Sequence, residues 1–183
     1  MTDVIRLTLV SHAMTDAMAA GRFPADEPLN RIGHRQVKAA ARLDIDGGVR
    51  QLAGPETRAR QTAQLLGLHA TTEPRLADLG CGGWCGQTLL AVGPADLEMW
   101  LSDPARAPHG GESIVDLIER VAGWLESLIH DPSPTVAVTH PAVIRAAILG
   151  ALDMPPKSFW RIDIAPVSRT VLHFRKGYWT LRL

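Results

Sequence analysis

Two histidines follow apolar runs of the chain. Val4 to Val10 reads Val-Ile-Arg-Leu-Thr-Leu-Val and ends at Ser11-His12-Ala13; Thr135 to Val138 ends at Thr139-His140. Runs of β-branched and aliphatic residues of this kind read as buried strands. In an open sheet of parallel strands, ligands gather at the carboxyl ends, so both imidazoles are expected on one edge of the molecule. Imidazole can act as nucleophile, general base or proton donor near neutral pH. Either histidine alone reads as structural. Their matched placement marks them as a pair that can share a ligand.

A second local signal comes from Arg58 and Arg60. They fall in the first turns of a helical stretch from Glu56 to Leu66, where positive side chains oppose the helix dipole. Conflicts of this sort collect at functional sites. Gly80-Cys-Gly-Gly-Trp-Cys-Gly86 is the most glycine-dense stretch, and such a backbone turns tightly or approaches something closely.

The elements that must hold these residues alternate. After the first strand, Phe23 to Leu29 reads as a loop, and Asn30 caps a helix to about Leu43. A strand from Val49 to Ala53 is punctuated by Gly54-Pro55. Pro94 to Leu101 is a short helix, and Ser113 to Ile129 a long one with an apolar stripe. A helix from Ala142 to Leu152 follows the second histidine. Arg161 to Ala165, Thr170 to Arg175 and Tyr178 to Leu183 read as closing strands, with Lys176-Gly177 as a turn. Strand–helix alternation predicts an α/β chain: a three-layer α/β/α sandwich on a mostly parallel sheet with an antiparallel edge.

Composition narrows the function. The 183 residues fit one domain, 1–183. With 19 basic and 19 acidic residues the formal charge is zero, so no global attraction to nucleic acid or anionic lipid is expected. Cys81 and Cys85 lack the Cys-x-x-C spacing and a second pair, which reads as reduced thiols and no metal site. The first residues lack a signal-peptide pattern, and no apolar run reaches the roughly 18 residues of a membrane span. A cytoplasmic location is expected, and no cofactor is called for.

Six segments, in order, resemble motifs of the histidine phosphatase (phosphoglycerate mutase-like) superfamily. Leu7-Thr-Leu-Val-Ser-His-Ala13 is similar to Leu-Val-Arg-His-Gly, with Thr15 following. Pro28-Leu-Asn-Arg-Ile-Gly-His-Arg-Gln36 resembles Pro-Leu-Thr-x-x-Gly-x-x-Gln. Thr57-Arg-Ala-Arg-Gln-Thr-Ala63 resembles Arg-Ala-x-x-Thr-Ala. Leu76 to Gly86 resembles Leu-x-Glu-x-x-x-Gly-x-Trp-Glu-Gly. Gly110-Gly-Glu-Ser113 matches Gly-Gly-Glu-Ser, and Val138 to Arg145 resembles Val-Ser-His-Gly-Gly-Val-Ile-Arg. The resemblance covers roughly residues 5 to 150 and implies a short, phosphatase-type member.

It also implies roles. His12 would take up the phosphoryl group as phosphohistidine. Arg58 would grip phosphate oxygens, His140 would donate to them, and Asp78 stands where the acid/base glutamate usually is. Ser11, Thr15, Arg22 and Glu112 are substrate-binding candidates, Glu112 being alternatively a cap of the long helix or a second acid. The ligand would be a small phosphorylated molecule or inorganic phosphate. A homodimer paired through the final strands is an additional expectation.

The pattern breaks at Ser11, where the family has an arginine that touches the phosphate. Pro141 replaces a glycine, and proline has no N–H to offer. Arg22 is the candidate replacement cation. Hence three readings: a phosphatase, slow or specialised; an enzyme whose substrate carries less charge at the reacting centre, such as a phosphodiester or a phosphoamide; and a degenerate module that binds phospho-ligands without turnover. A phosphoglycerate mutase-type phosphotransfer is a further alternative. Substrate choice would lie in Ala19 to Leu29 and Leu89 to His109.

Overall fold

The computed structural model describes residues 4–40, 43, 45 and 47–183. The first three residues, on which the leader expectation partly rests, lie outside the described ones.

Six strands form one sheet in the order β3-β2-β4-β1-β5-β6. Strand β1 is Ile5–Ser11, β2 Arg50–Ala53, β3 Thr71–Thr72, β4 Thr135–Thr139, β5 Arg169–Arg175 and β6 Tyr178–Arg182. Strands β1, β4, β2 and β3 run parallel. The β5–β6 hairpin closes the sheet antiparallel against β1. The α/β class and the antiparallel edge expected from the sequence are both present.

The helices are α1 Asp16–Ala19, α2 Arg31–Ala39, α3 Thr57–Leu65, α4 Pro94–Ser102, α5 Ile114–His130 and α6 Pro141–Ala151. Strand periodicity sorts the core into two layers. Leu7, Leu9 and Ala137 pack with α5 and α6. Val10, Val136 and Val138 pack with Val37 of α2 and Ala63 of α3. Helix α5 begins with a capping box: Ser113 Oγ accepts from Asp116 N at 3.0 Å, and Asp116 Oδ2 accepts from Ser113 N at 3.2 Å. Caps of this type contribute about 1 kcal/mol.

Three expectations shift. The cap of α5 is Ser113, not Glu112. The predicted strand from Arg161 to Ala165 is absent: Pro156–Arg161 is a 3-10 turn, and Ile162 is extended but unpaired in the sheet. Two prolines at its start favour the tight turn, and the carbonyl of Ile162 is taken by Arg145 Nε at 2.7 Å. Helix α2 stops at Ala39 because Ala40 turns to an extended backbone, φ −69°, ψ 138°. The predicted continuation through 41 and 42 lies outside the described residues.

Register delivers the site. Ser11 pairs with Thr139 across β1 and β4, so the next residue on each strand, His12 and His140, leaves the sheet at the same level.

Candidate active site

His12 leaves β1 with its N–H given to the carbonyl of Thr139 at 2.9 Å. Its Nδ1 lies 2.8 Å from the carbonyl of Ala13. A carbonyl only accepts, so Nδ1 carries the hydrogen and Nε2 keeps a free lone pair. Thr62 Oγ1 accepts from Ala13 N at 3.1 Å and fixes this turn from α3. The ring is 3% exposed. Burial above all, and then the neighbouring His140, push its pKa from 6.5 down to about 4. At neutral pH it is an uncharged imidazole, the form that can attack.

His140 caps α6, with Pro141 at the first helical position, where a missing N–H costs nothing. Its ring stands edge-on to His12, centroids 5.1 Å apart. Nε2 meets Glu56 Oε2 at 2.6 Å, and Nδ1 faces Asp78 Oδ2 at 3.4 Å without a hydrogen bond. Glu56 sits just before α3, and its side chain is not spent on capping that helix. Gly54 makes the approach possible. A Cβ there would stand 2.7 Å from the carbonyl of Leu76 and 3.0 Å from His140 Nε2.

Arg58 is 2% exposed on its side chain. One terminal nitrogen donates to Asp78 Oδ2 and the other to the carbonyl of Ala25, each at 2.6 Å; Nε has no partner. Glu56 Oε1 accepts from Asp78 N at 3.0 Å. Burial raises the Asp78 pKa, but His140, Arg58 and His12 together outweigh it, so the net shift is downward. Glu56 also ends below its usual value: burial again opposes, and the bond to His140 prevails. The result is a closed ring of contacts, from Glu56 to His140 to Asp78 and back to Glu56, with Arg58 paired to Asp78.

His12, Arg58 and Asp78 line a cavity of about 180 Å³, open to solvent. His140 is fully buried against them and does not line it. Of the remaining candidates, Arg22 lines the cavity and is exposed. Thr15 caps α1 and donates to Glu27 Oε1 at 3.1 Å. It is fully buried and off the cavity wall, so it supports the loop rather than facing the ligand. Ser11 is fully buried, its Oγ 3.5 Å from the carbonyl of His12, and is also off the wall. Glu112 is held by Arg120 in a two-pronged pair, 2.7 Å on each prong, away from the cavity lining.

Sequence reasoning missed three parts of the site. Glu56 stands outside every motif. Arg145 was only the tail of the sixth motif, yet it lines the cavity. Phe159 and Trp160 line it too, from a turn that carries no motif. Cys81 also contributes to the wall, as a thiol whose pKa burial, and then Asp78, push up to about 12. Cys81 and Cys85 are both free thiols.

Known proteins resemble this chain in sequence and fold. A family profile described as histidine phosphatase superfamily (branch 1) matches residues 7–183. A bifunctional protein of Mycobacterium tuberculosis is 29% identical over 182 residues, covering 92% of this chain; the chain spans only 50% of that relative's length. Phosphoserine phosphatase 1 of Hydrogenobacter thermophilus is 26% identical over 187 residues, covering 94% of this chain and 88% of its own. The solved structure of a mycobacterial glucosyl-3-phosphoglycerate phosphatase in complex with VO3 superposes with a TM-score of 0.82 at 27% identity, covering 98% of both chains.

Proposed function

We propose that this chain, which belongs to the histidine phosphatase superfamily (branch 1), hydrolyses a small phosphomonoester through a phosphohistidine at His12. The observation that carries the reading is the state of His12: buried, uncharged, hydrogen held at Nδ1, and Nε2 open beside a guanidinium. The phosphatase names of the relatives support it.

The reaction runs in two steps. His12 Nε2 attacks phosphorus, the bond from phosphorus to the alcohol oxygen breaks, and that oxygen takes a proton from the carboxyl of Asp78. Water then attacks the phosphohistidine, gives its proton to Asp78, and the N–P electron pair returns to Nε2. The second step restores the enzyme.

Asp78 is ionised in the resting ring, whereas the first step needs its proton. The arriving phosphate resolves this conflict. A dianion competes for Arg58 and takes that guanidinium from Asp78. A carboxylate that loses its cation and gains a neighbouring dianion is pushed toward protonation. Arg58 is therefore a switch between a resting partner and the substrate. His140 gives Nε2–H to Glu56, and its Nδ1, which faces Asp78 behind the cavity wall, donates to a phosphate oxygen that takes the place of Asp78.

Ser11 leaves one cation fewer than the family pattern, and Arg22 at the cavity lining takes that place. The charge need not come from the same strand, provided a guanidinium reaches the equatorial oxygens.

The test is hydrolysis of 4-nitrophenyl phosphate in EDTA, with acid-labile protein-bound phosphate trapped by rapid quenching. The reading requires both turnover and the phosphoenzyme. Phosphate that binds by calorimetry without either would turn the protein into a phospho-ligand-binding module, the reading that Ser11 favours.

A further inference from the structure

Beyond the reacting centre the cavity has a wall of a different kind. Phe23, Trp100, Phe159 and Trp160 all line it. They touch ring to ring: Phe23 to Trp100 at 5.5 Å, Trp100 to Trp160 at 4.6 Å, and Phe159 to Trp160 at 4.9 Å. These rings come from three distant segments, and the first and second fall within the stretches expected to select the substrate. Phosphoryl transfer itself uses none of them. Phe23, Trp100 and Phe159 are buried and form the backing of this wall, and the half-buried Trp160 gives a flat ligand body a place to lie, because ring pairs gain from offset or edge-on contact beyond simple burial.

Arg145 sits on that wall. Its guanidinium carbon lies 5.6 Å from the ring centre of Phe159 and 5.7 Å from that of Trp160. Its Nε donates to the carbonyl of Ile162 at 2.7 Å, which sets the direction of the fork. Among the described residues no carboxylate lies within ion-pair distance of it. Arg58, Arg75 and Arg120, by contrast, each have a carboxylate within 3 Å. Burial pushes the Arg145 pKa down, against the distant pull of Asp163 and Asp78, as expected of a cation short of a close counter-ion. A partly buried guanidinium with its two terminal nitrogens unspent is suited to a carboxylate, whose two oxygens match that edge.

We infer that the substrate is a phosphomonoester whose leaving alcohol carries a flat ring and a carboxylate, the ring resting on Trp160 and the carboxylate pairing with Arg145. The inference rests on the phosphatase reading for its scissile phosphate. It adds what the far end of the molecule must look like. A substrate that is small and anionic but has no ring would leave the wall bare. One that has a ring but no second anion would leave Arg145 without a counter-charge.

Three probes separate these features: 4-carboxyphenyl phosphate, phenyl phosphate, and 3-phosphoglycerate, which has the carboxylate and no ring. For the unaltered protein, kcat/KM is expected to be highest for 4-carboxyphenyl phosphate, by about ten-fold or more over each of the others, the scale of one charge-assisted contact. In Arg145→Gln the loss is expected to be about ten-fold greater for 4-carboxyphenyl phosphate than for phenyl phosphate. Equal losses on both, or a preference of the unaltered protein for 3-phosphoglycerate, would overturn the inference. Because the ranking is read on the unaltered protein, it stands even if the variant fails to fold. Calorimetric binding of the same probes to His12→Ala reads the far subsite without turnover. A phosphatase reading that failed would show no turnover but the same binding order; an inference that failed would show turnover or binding with no such order.

Discussion

His12 and His140 occupy equivalent positions, one residue past the ends of two adjacent parallel strands, and yet their surroundings are opposite. His12 has a backbone carbonyl at Nδ1 and open space at Nε2, where the cavity begins. His140 has a carboxylate facing each ring nitrogen and no exposed surface. Strand topology delivers two identical side chains to one edge. The side chains that follow, Glu56 before α3 and Asp78 after the Pro74–Leu76 turn, then set the two rings apart, in line with the proposed roles of nucleophile and donor. Position in the fold brings a group to a site, and the charges around it assign its task.

The strongest way to break this comparison is to remove each ring in turn. His12→Ala is expected to abolish the trapped phosphoenzyme and lower 4-nitrophenyl phosphate turnover by at least about a thousand-fold, since a missing nucleophile has no substitute. His140→Ala is expected to lower turnover by about a hundred-fold while acid-labile phosphate still accumulates on the protein, as for loss of a single electrostatic donor. If the His140 variant lost the phosphoenzyme and the His12 variant kept it, the two roles would be reversed.

The second test sharpens the comparison through stability. His12 is uncharged in the folded protein down to about pH 4, whereas an unfolded histidine takes up its proton near 6.5. The unfolded chain therefore binds more protons in this window, and folding stability falls as pH falls from about 6.5 to about 4. The shift corresponds to about 3 kcal/mol. Urea denaturation at pH 7 and pH 4.5 is expected to show a steeper loss for the unaltered protein than for His12→Gln, which has no proton to gain. Parallel losses in the two proteins would mean that His12 is not held uncharged by burial.

Much of this was legible in the residues. The apolar runs before His12 and His140 placed both rings, because a buried parallel strand has a strong signature and its carboxyl end a fixed side of the sheet. Arg58 and Asp78 were found through their motifs. Glu56 was not, because its role depends on Gly54 letting two chain segments close on each other, and no periodicity records such an approach. Phe159 and Trp160 were missed for a related reason. Apolar residues near the end of a chain read equally as strand or core, and only the turn imposed by Pro155 and Pro156 directs them to the cavity. The motif position of Glu112 could not show that Arg120, two helical turns on, takes both carboxylate oxygens and that the side chain stands off the cavity lining.

The finest test concerns Glu56, which touches His140 alone of the two histidines. Glu56→Gln keeps an acceptor for Asp78 N and a side chain of the same size, but removes the negative charge 2.6 Å from His140 Nε2. An amide holds Nε2–H less firmly than a carboxylate does, so the donor ring is less firmly placed. The expected loss is about ten-fold, the lower end for a hydrogen bond to a charged group. It should appear in kcat more than in KM, because the donor matters most where charge develops. The pH dependence supplies the signature that a merely structural role would lack. Glu56 is ionised above a pKa held below its usual 4.5, so the gap between the two proteins should persist at pH 5 and close only as the pH falls through that lower value. A gap of the same size at every pH would make Glu56 a packing residue, and the contrast between the two histidines would then have to be traced to Asp78.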